Sequence, residues 1–388
     1  MKKRQITALV MAGVLGAAGL TGCAGQTTAA TAAPETKAAT AAETKAETTA
    51  AAGTTAAETK AAEAGAAKTG TTEAAKVTQT EPLVVYLNDF DAIIPDMFKK
   101  ATGYDVEVVV GNGAETMARI ETEGDNPQWD IVWLDSMPSI DSMRKKGMLL
   151  TEWEPSDIGN LKDYYKKIVP ADKGYYPTGA HAAGVIAYRT DVYTEETAPK
   201  TWDDFTKEEY KDKIGMADPS VAAPAYPFVS YFFNSKEMEG GKEFFNSLFD
   251  NGLKIYPKNP QVVQALASGE IAVAGLQESN AYGMIASGEP IGIIWPEEGA
   301  PASVRVAGIS AKTDQPEVAK AFVEFLLKPE TQQQLIDSGD EGYFEPSAEG
   351  VTTKEDRNSD AKLVYADASW ASEHEAEIKE WFADAAAR

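Results

Sequence analysis

The stretch LVVYLNDFDAIIPDMFKKATGYDVEVVV, Leu83 to Val110, decides the fold class. Its first five residues are apolar, as a buried strand requires, and they stop at the polar pair Asn88-Asp89. Helical spacing takes over through IIPDMFKKATG, where Pro95 is tolerated in the first turn and Gly103 supplies a stop. DVEVVV is a second strand. The pattern then repeats, with GNGAETMARIETEG as turn and helix, WDIVWL as strand, and SIDSMRKKG as a helix ended by Gly147. Such alternation implies a parallel sheet flanked by helices, because parallel neighbours are joined by a crossover.

A second set of the same kind begins at KIGMADPS. KIYP leads into NPQVVQALASGE, IAVAGL leads into the polar run Gln277 to Asn280, and IGIIWPEEG closes the set. Between the sets, GVIAYRTD is an apolar run suited to crossing from one lobe to the other, and a second crossing is expected near SVRVAGIS. Beyond it, Val318, Phe322 and Phe325 fall at helical spacing, and Pro329 opens another helix. The expected plan is therefore 81–182 as the first part of lobe one, 183–296 as lobe two, 297–328 as the return to lobe one, and 329–388 as helices packing on the lobes.

The N-terminus has a different character. Lys2, Lys3 and Arg4 precede ITALVMAGVLGAAGL, an apolar run too short for a comfortable membrane span, and LTGC follows. Residues 1–23 thus form an export signal whose end resembles a bacterial lipobox. Cys23, the single cysteine of the chain, is where a lipid would be attached, anchoring the protein to the outer face of the cytoplasmic membrane or leaving it periplasmic. Residues 24–80 are dominated by Ala, Thr, Glu and Lys without an aromatic residue; they cannot bury enough apolar surface to offset their ordering entropy and read as a tether. The net charge is −24, which excludes a nucleic-acid partner that would need a basic surface.

In open parallel sheets, ligands bind beyond the carboxyl ends of the strands. Those positions hold Asn88, Asp89, Asn112 and Asp135 in the first set. In the second they hold Ser220, Asn259, Gln277, Glu278, Ser279 and Asn280. Tyr226, Tyr282 and Trp295 lie close by as candidate platforms. Each has a second reading. Asp135, Ser220 and Ser279 suit helix N-caps, Asn112 suits a turn between glycines, and the aromatic residues suit a core. The chain has two histidines, in unrelated contexts, so a Ser-His-Asp triad or a histidine-rich metal site is not expected. His374 lies in a charged helix, whereas His181 precedes the first crossing, as either a cleft contact or loop packing.

The segments VVYLNDF, FKKATGYDVEVVVGNGAETMARIETEG, WDIVWLDS, YKDKIGMADPS, VVQALASGEIAVAG and WPEEGAPASVRVAGIS, taken together and in order, resemble the extracellular solute-binding proteins of ABC importers. The likeness is to the branch with ferric-iron, sugar-phosphate and phosphonate binders. It implies a two-lobed, type II periplasmic-binding-protein-like α/β fold, a small-molecule solute held between the lobes, no cofactor or catalysis, and delivery by a monomer to a membrane permease. In the iron-binding relatives two adjacent tyrosines coordinate the metal; the corresponding positions here resemble Ser279 and Asn280, while Asp135 falls where those relatives place a carboxylate. Neutral donors and acceptors suit a phosphorylated, phosphonate or amine-bearing organic solute better than a bare metal. Two rivals are kept: iron(III) held by Asp135, Glu278 and Tyr282, and a surface hydrolase.

Overall fold

A computed structural model describes residues 78–388. The expected signal, Cys23 and the tether as far as residue 77 lie outside the described residues.

The opening stretch folds as its pattern requires. Strand β1 (Leu83–Leu87) leads to helix α1 (Ile94–Thr102), which buries Ile94 and Phe98 and ends at Gly103 with φ 85°, its N–H bonded to the Lys99 carbonyl. Then come β2 (Val106–Val110), α2 (Gly113–Glu123), β3 (Ile131–Leu134), α3 (Met137–Lys145), the short α4 (Asp163–Ile168) and β4 (Tyr176–Ala182). The second sheet is built from β5 (Val185–Arg189), β6 (Ile214–Ala217), β7 (Lys254–Tyr256), β8 (Val273–Leu276) and β9 (Ile291–Ile294). Its helices are α5 (Ala225–Ser235), α6 (Glu237–Asp250), α7 (Asn259–Ser268) and α8 (Glu278–Ala286). The chain then adds β10 (Ala300–Ile309), α9 (Pro316–Leu327), α10 (Pro329–Ile336), β11 (Glu345–Pro346), β12 (Leu363–Val364) and α11 (Ala368–Ala386).

The first sheet runs β11-β4-β10-β3-β1-β2 with β12 beside β10, and the second runs β7-β6-β8-β5-β9. Each mixes directions: in the first sheet β10, between β3 and β4, runs against them, as do β11 and β12, and in the second β5 alone, between β8 and β9, is antiparallel to its neighbours. Each sheet with its helices is a lobe, and two short connections join them. Ala183-Gly184 links β4 to β5, and residues 295–299 link β9 back to β10. The return crossing therefore precedes SVRVAGIS, where the sequence pattern puts it. All ten residues of β10 are buried within the first sheet, so this run is a core strand throughout.

Aromatic side chains fill both cores. Phe98 meets Phe322 and Phe325 edge-on at 5.0 and 5.4 Å in the first lobe. In the second, Trp202, Phe228, Phe232 and Phe245 form a connected cluster that α11 joins through Phe382, 5.2 Å from Phe245. Helix α11 also lies along α3 of the first lobe, where Ala368 packs against the core and polar contacts are added. Glu375 accepts from Ser139 at 2.9 Å, and Lys145 bonds Glu373 at 3.1 Å.

The lobes meet directly. The Ala114 N–H reaches the Val221 carbonyl at 3.4 Å, and Lys258 pairs with Glu115 at 3.3 Å. Gly113 makes this approach feasible, since a β-carbon there would lie 2.9 Å from both Cα and Cβ of Ala223.

Candidate functional site

At the carboxyl end of β1 the backbone turns sharply. Phe90 takes φ 64°, an uncommon conformation for a bulky residue, and it is held there from three sides. Its N–H donates to Glu341 at 2.7 Å, its ring stacks on Trp133 at 5.7 Å, and the guanidinium of Arg305 lies 4.7 Å from its centroid. Trp133 is fixed in turn by its indole N–H, which donates to Thr178 at 2.9 Å.

Arg305 is the hub. It projects from β10, pairs with Asp89, and grips both oxygens of Asp135, with Nη2 2.7 Å from Oδ2. Asn88 completes the arrangement by donating to Asp135 at 2.9 Å and to Asp89 at 3.1 Å. Burial alone would raise the Asp135 carboxyl, but the guanidinium against it more than reverses this and holds it below the ordinary carboxylate range. Asp89 moves the other way: burial raises it well above the ordinary value, Arg305 opposes and Asp135 adds to the rise. Its side chain remains 24% exposed, and water on that side tempers the shift.

These groups face a small cavity between the lobes. The first lobe supplies Asp89, Phe90, Arg305 and Glu341, strand β4 supplies His181, and the second lobe supplies Gln277 and Ser279. The enclosed volume in this arrangement is about 20 Å³, room for about one water molecule. A larger hollow of about 290 Å³, also lined from both lobes, holds Ser136, Ser220 and Tyr226 and is bordered by α11 through Glu375 and Lys379.

The thirteen residues expected from sequence are thus distributed over several tasks. Asp89, Gln277 and Ser279 line the cavity, while Asn280, beside them on α8, is partly buried and outside its lining. Asp135 stands behind Arg305, and Asn88 positions it. Asn112 caps α2, its side chain accepting from the Glu115 N–H while Glu115 returns a bond to the Asn112 N–H. Asn259 donates to Gln277 at 2.9 Å, fixing that amide at the cavity wall. Tyr226 is fully buried, and its hydroxyl donates to the Ala371 carbonyl of α11. Tyr282 stacks face to face on Tyr343 at 4.1 Å and accepts from the Asn358 N–H.

Glu278 was expected to meet the solute; in the structure its oxygens are taken. Oε2 accepts from Arg357 at 2.7 Å, and Oε1 accepts from the Ala182 N–H at 2.7 Å, at the end of β4. Arg357 in turn lies 5.4 Å from the ring of Trp295 in the second connection. Glu278 and Arg357 therefore tie both connections to α8. With Asp135 held by Arg305, Glu278 by Arg357, and Tyr282 stacked on Tyr343, the trio proposed for iron(III) does not form a ligand set. The described residues contain no group of three or more His, Cys, Asp or Glu able to hold a metal.

Residues 94–364 match the family described as bacterial extracellular solute-binding protein. The chain belongs to that family. Among relatives of this solute-binding protein, the spermidine/putrescine-binding periplasmic protein of Salmonella typhimurium is 26% identical over 291 residues, covering 72% of this chain and 81% of the relative. A putative 2-aminoethylphosphonate-binding periplasmic protein of the same organism is 24% identical over 246 residues, covering 62% and 69%. The periplasmic binding protein AfuA of Actinobacillus pleuropneumoniae, solved with fructose-6-phosphate, superposes with a TM-score of 0.70 at 18% identity, covering 79% of this chain and 98% of that one. Two sheets, each flanked by helices, make this a type II periplasmic-binding-protein fold, as the sequence pattern and its resemblance anticipated. The family and its structural neighbours are binding proteins rather than enzymes.

Proposed function

We propose that this solute-binding protein captures a small amine-bearing cation in the cavity between its lobes and delivers it to an ABC permease. The observation that carries this reading is the charge around the cavity. Asp89, Asp135 and Glu341 surround a single guanidinium, that of Arg305, which already serves two of them. An anionic solute would have to draw Arg305 from its carboxylates and then face them unshielded, whereas an ammonium group supplies the missing positive charge. The name of one relative agrees, since putrescine and spermidine are amine cations, while 2-aminoethylphosphonate, named for another, pairs its amine with an anionic phosphonate. Gln277 and Ser279 supply neutral hydrogen-bonding groups from the second lobe. A solute touching both walls stabilises the closed arrangement by its differential affinity for it.

Isothermal titration of the chain with putrescine, spermidine, 2-aminoethylphosphonate, fructose-6-phosphate and ferric citrate tests the reading. Saturable binding of an amine, released intact, supports it; binding confined to fructose-6-phosphate or ferric citrate, or recovery of a cleaved product, overturns it. The reading includes anchoring of a monomer through lipidated Cys23. Radiolabelled palmitate incorporation that disappears in Cys23→Ala supports the anchor, and labelling that persists in that variant overturns it.

A further inference from the structure

His181 is absent from the expected site residues, and the pairs described above do not use it. It lies on β4 opposite Ser303 of β10, one residue before Ala182, whose N–H Glu278 holds. The side chain is buried and lines the cavity shared with Asp89, Arg305 and Ser279. Its two nitrogens have different surroundings. Nδ1 faces Asp135 at 3.9 Å from Oδ1, beyond hydrogen-bonding distance but near enough for the charge to orient the ring. Nε2 is buried and meets no donor or acceptor. A buried polar atom without a partner costs free energy unless something supplies one.

The Asp135 carboxylate favours the tautomer that turns an N–H toward it, which places the proton on Nδ1 and leaves the lone pair on Nε2. Burial holds the ring neutral, pushing its pKa down to about 4; Asp135 opposes this, and Arg305 and Arg357 reinforce it. The same cavity then holds a carboxylate for the charge of an incoming ammonium and an unused acceptor for one of its N–H bonds.

We propose that His181 Nε2 is a specificity contact that accepts a hydrogen bond from the ammonium group of the bound solute. The inference rests on the amine reading above and adds the residue that distinguishes an N–H donor from a cation without one. A trimethylammonium compound carries the same charge but has no N–H to give, so the site discriminates against it.

The experiment uses the ring itself as reporter, since the chain has two histidines and His374 lies far along the sequence on α11. In nitrogen-15-labelled protein, saturation with putrescine is expected to move the His181 Nε2 resonance upfield, as hydrogen-bond acceptance does, while the His374 resonances stay in place. By titration, His181→Leu is expected to weaken putrescine binding about ten- to a hundredfold, the loss that follows removal of one hydrogen bond to a charged group. His181→Gln, whose Oε1 can occupy the Nε2 position, keeps most of the affinity, and thermal unfolding of both variants reports their folding. A His181 resonance that stays still at saturation, or unweakened binding in His181→Leu, overturns the assignment while leaving the amine reading intact. Failure of the unaltered chain to bind any amine overturns both.

Discussion

Arg305 Nη2 lies 2.7 Å from Asp135 Oδ2, and the two side chains, one on β10 and one just past the end of the neighbouring antiparallel β3, are buried together beside the cavity. Asp135 falls where the sequence pattern calls for a solute contact, yet here it neutralises a cation of its own chain. Removing one partner of a buried pair leaves the other charge uncompensated, which costs about 3–5 kcal/mol. Asp135→Ala is therefore expected to lower stability by about that amount, moderated by the contact Arg305 keeps with Asp89, as read by urea unfolding. The folded pKa of Asp135 lies below its unfolded value. Its contribution is thus present above the ordinary 3.8 and is lost as pH falls through the folded value. An Asp135→Ala protein with unaltered unfolding would contradict the pairing.

Glu278 and Arg357 form the second buried pair, with side chains 0% and 2% exposed. Each single substitution, Glu278→Gln or Arg357→Met, is expected to destabilise the fold by several kcal/mol, and the double variant by less than the sum. Additive losses in the double-mutant cycle would show that the two act separately.

Asp89 gives a proton signature. Its pKa is raised by burial, and an arriving cation favours its charged form, so binding an amine is expected to release protons. It follows that amine affinity weakens as pH is lowered through the raised Asp89 value. Titrations in two buffers of different ionisation enthalpy measure the release directly. Identical heats in both would rule it out.

Gly113 controls how closely the lobes approach. A Gly113→Val side chain would press on Ala223 and hold the lobes apart, so a larger radius of gyration by small-angle scattering and weaker solute binding are expected. If the scattering curve matches that of the parent chain, the contact is not a stop.

Much of this architecture was legible because burial writes periodicity into a sequence. The runs at Leu83, Val106 and Ile131 are strands for the reason they look like strands, whereas Asn112, read as a solute contact or a turn between glycines, is the cap of its own helix. Strand β4 went unseen, since Pro177, Gly179 and His181 interrupt its apolar pattern. Gly179 is there because a β-carbon would sit 2.7 Å from the ring of Phe344. Arg305 did leave a signal, a lone charge inside the apolar run of β10, and a charge in a core strand calls for a buried partner. Arg357 left none: it sits in an irregular segment, and its pairing with Glu278 across 79 residues is a fact of tertiary structure alone.

Helix α11 binds the two lobes by different means. It is fixed to the second by Phe382, Ile378 and Ala371, all buried, and to the first by side-chain contacts of Ser139 and Lys145 and by the small Ala368 at its start. Water can replace the polar contacts and cannot replace the apolar ones. Were the lobes to open, the helix is expected to stay with the second lobe and the mostly hydrophilic seam to part. Its rupture exposes little oil to solvent, which keeps repeated loading and unloading thermodynamically cheap.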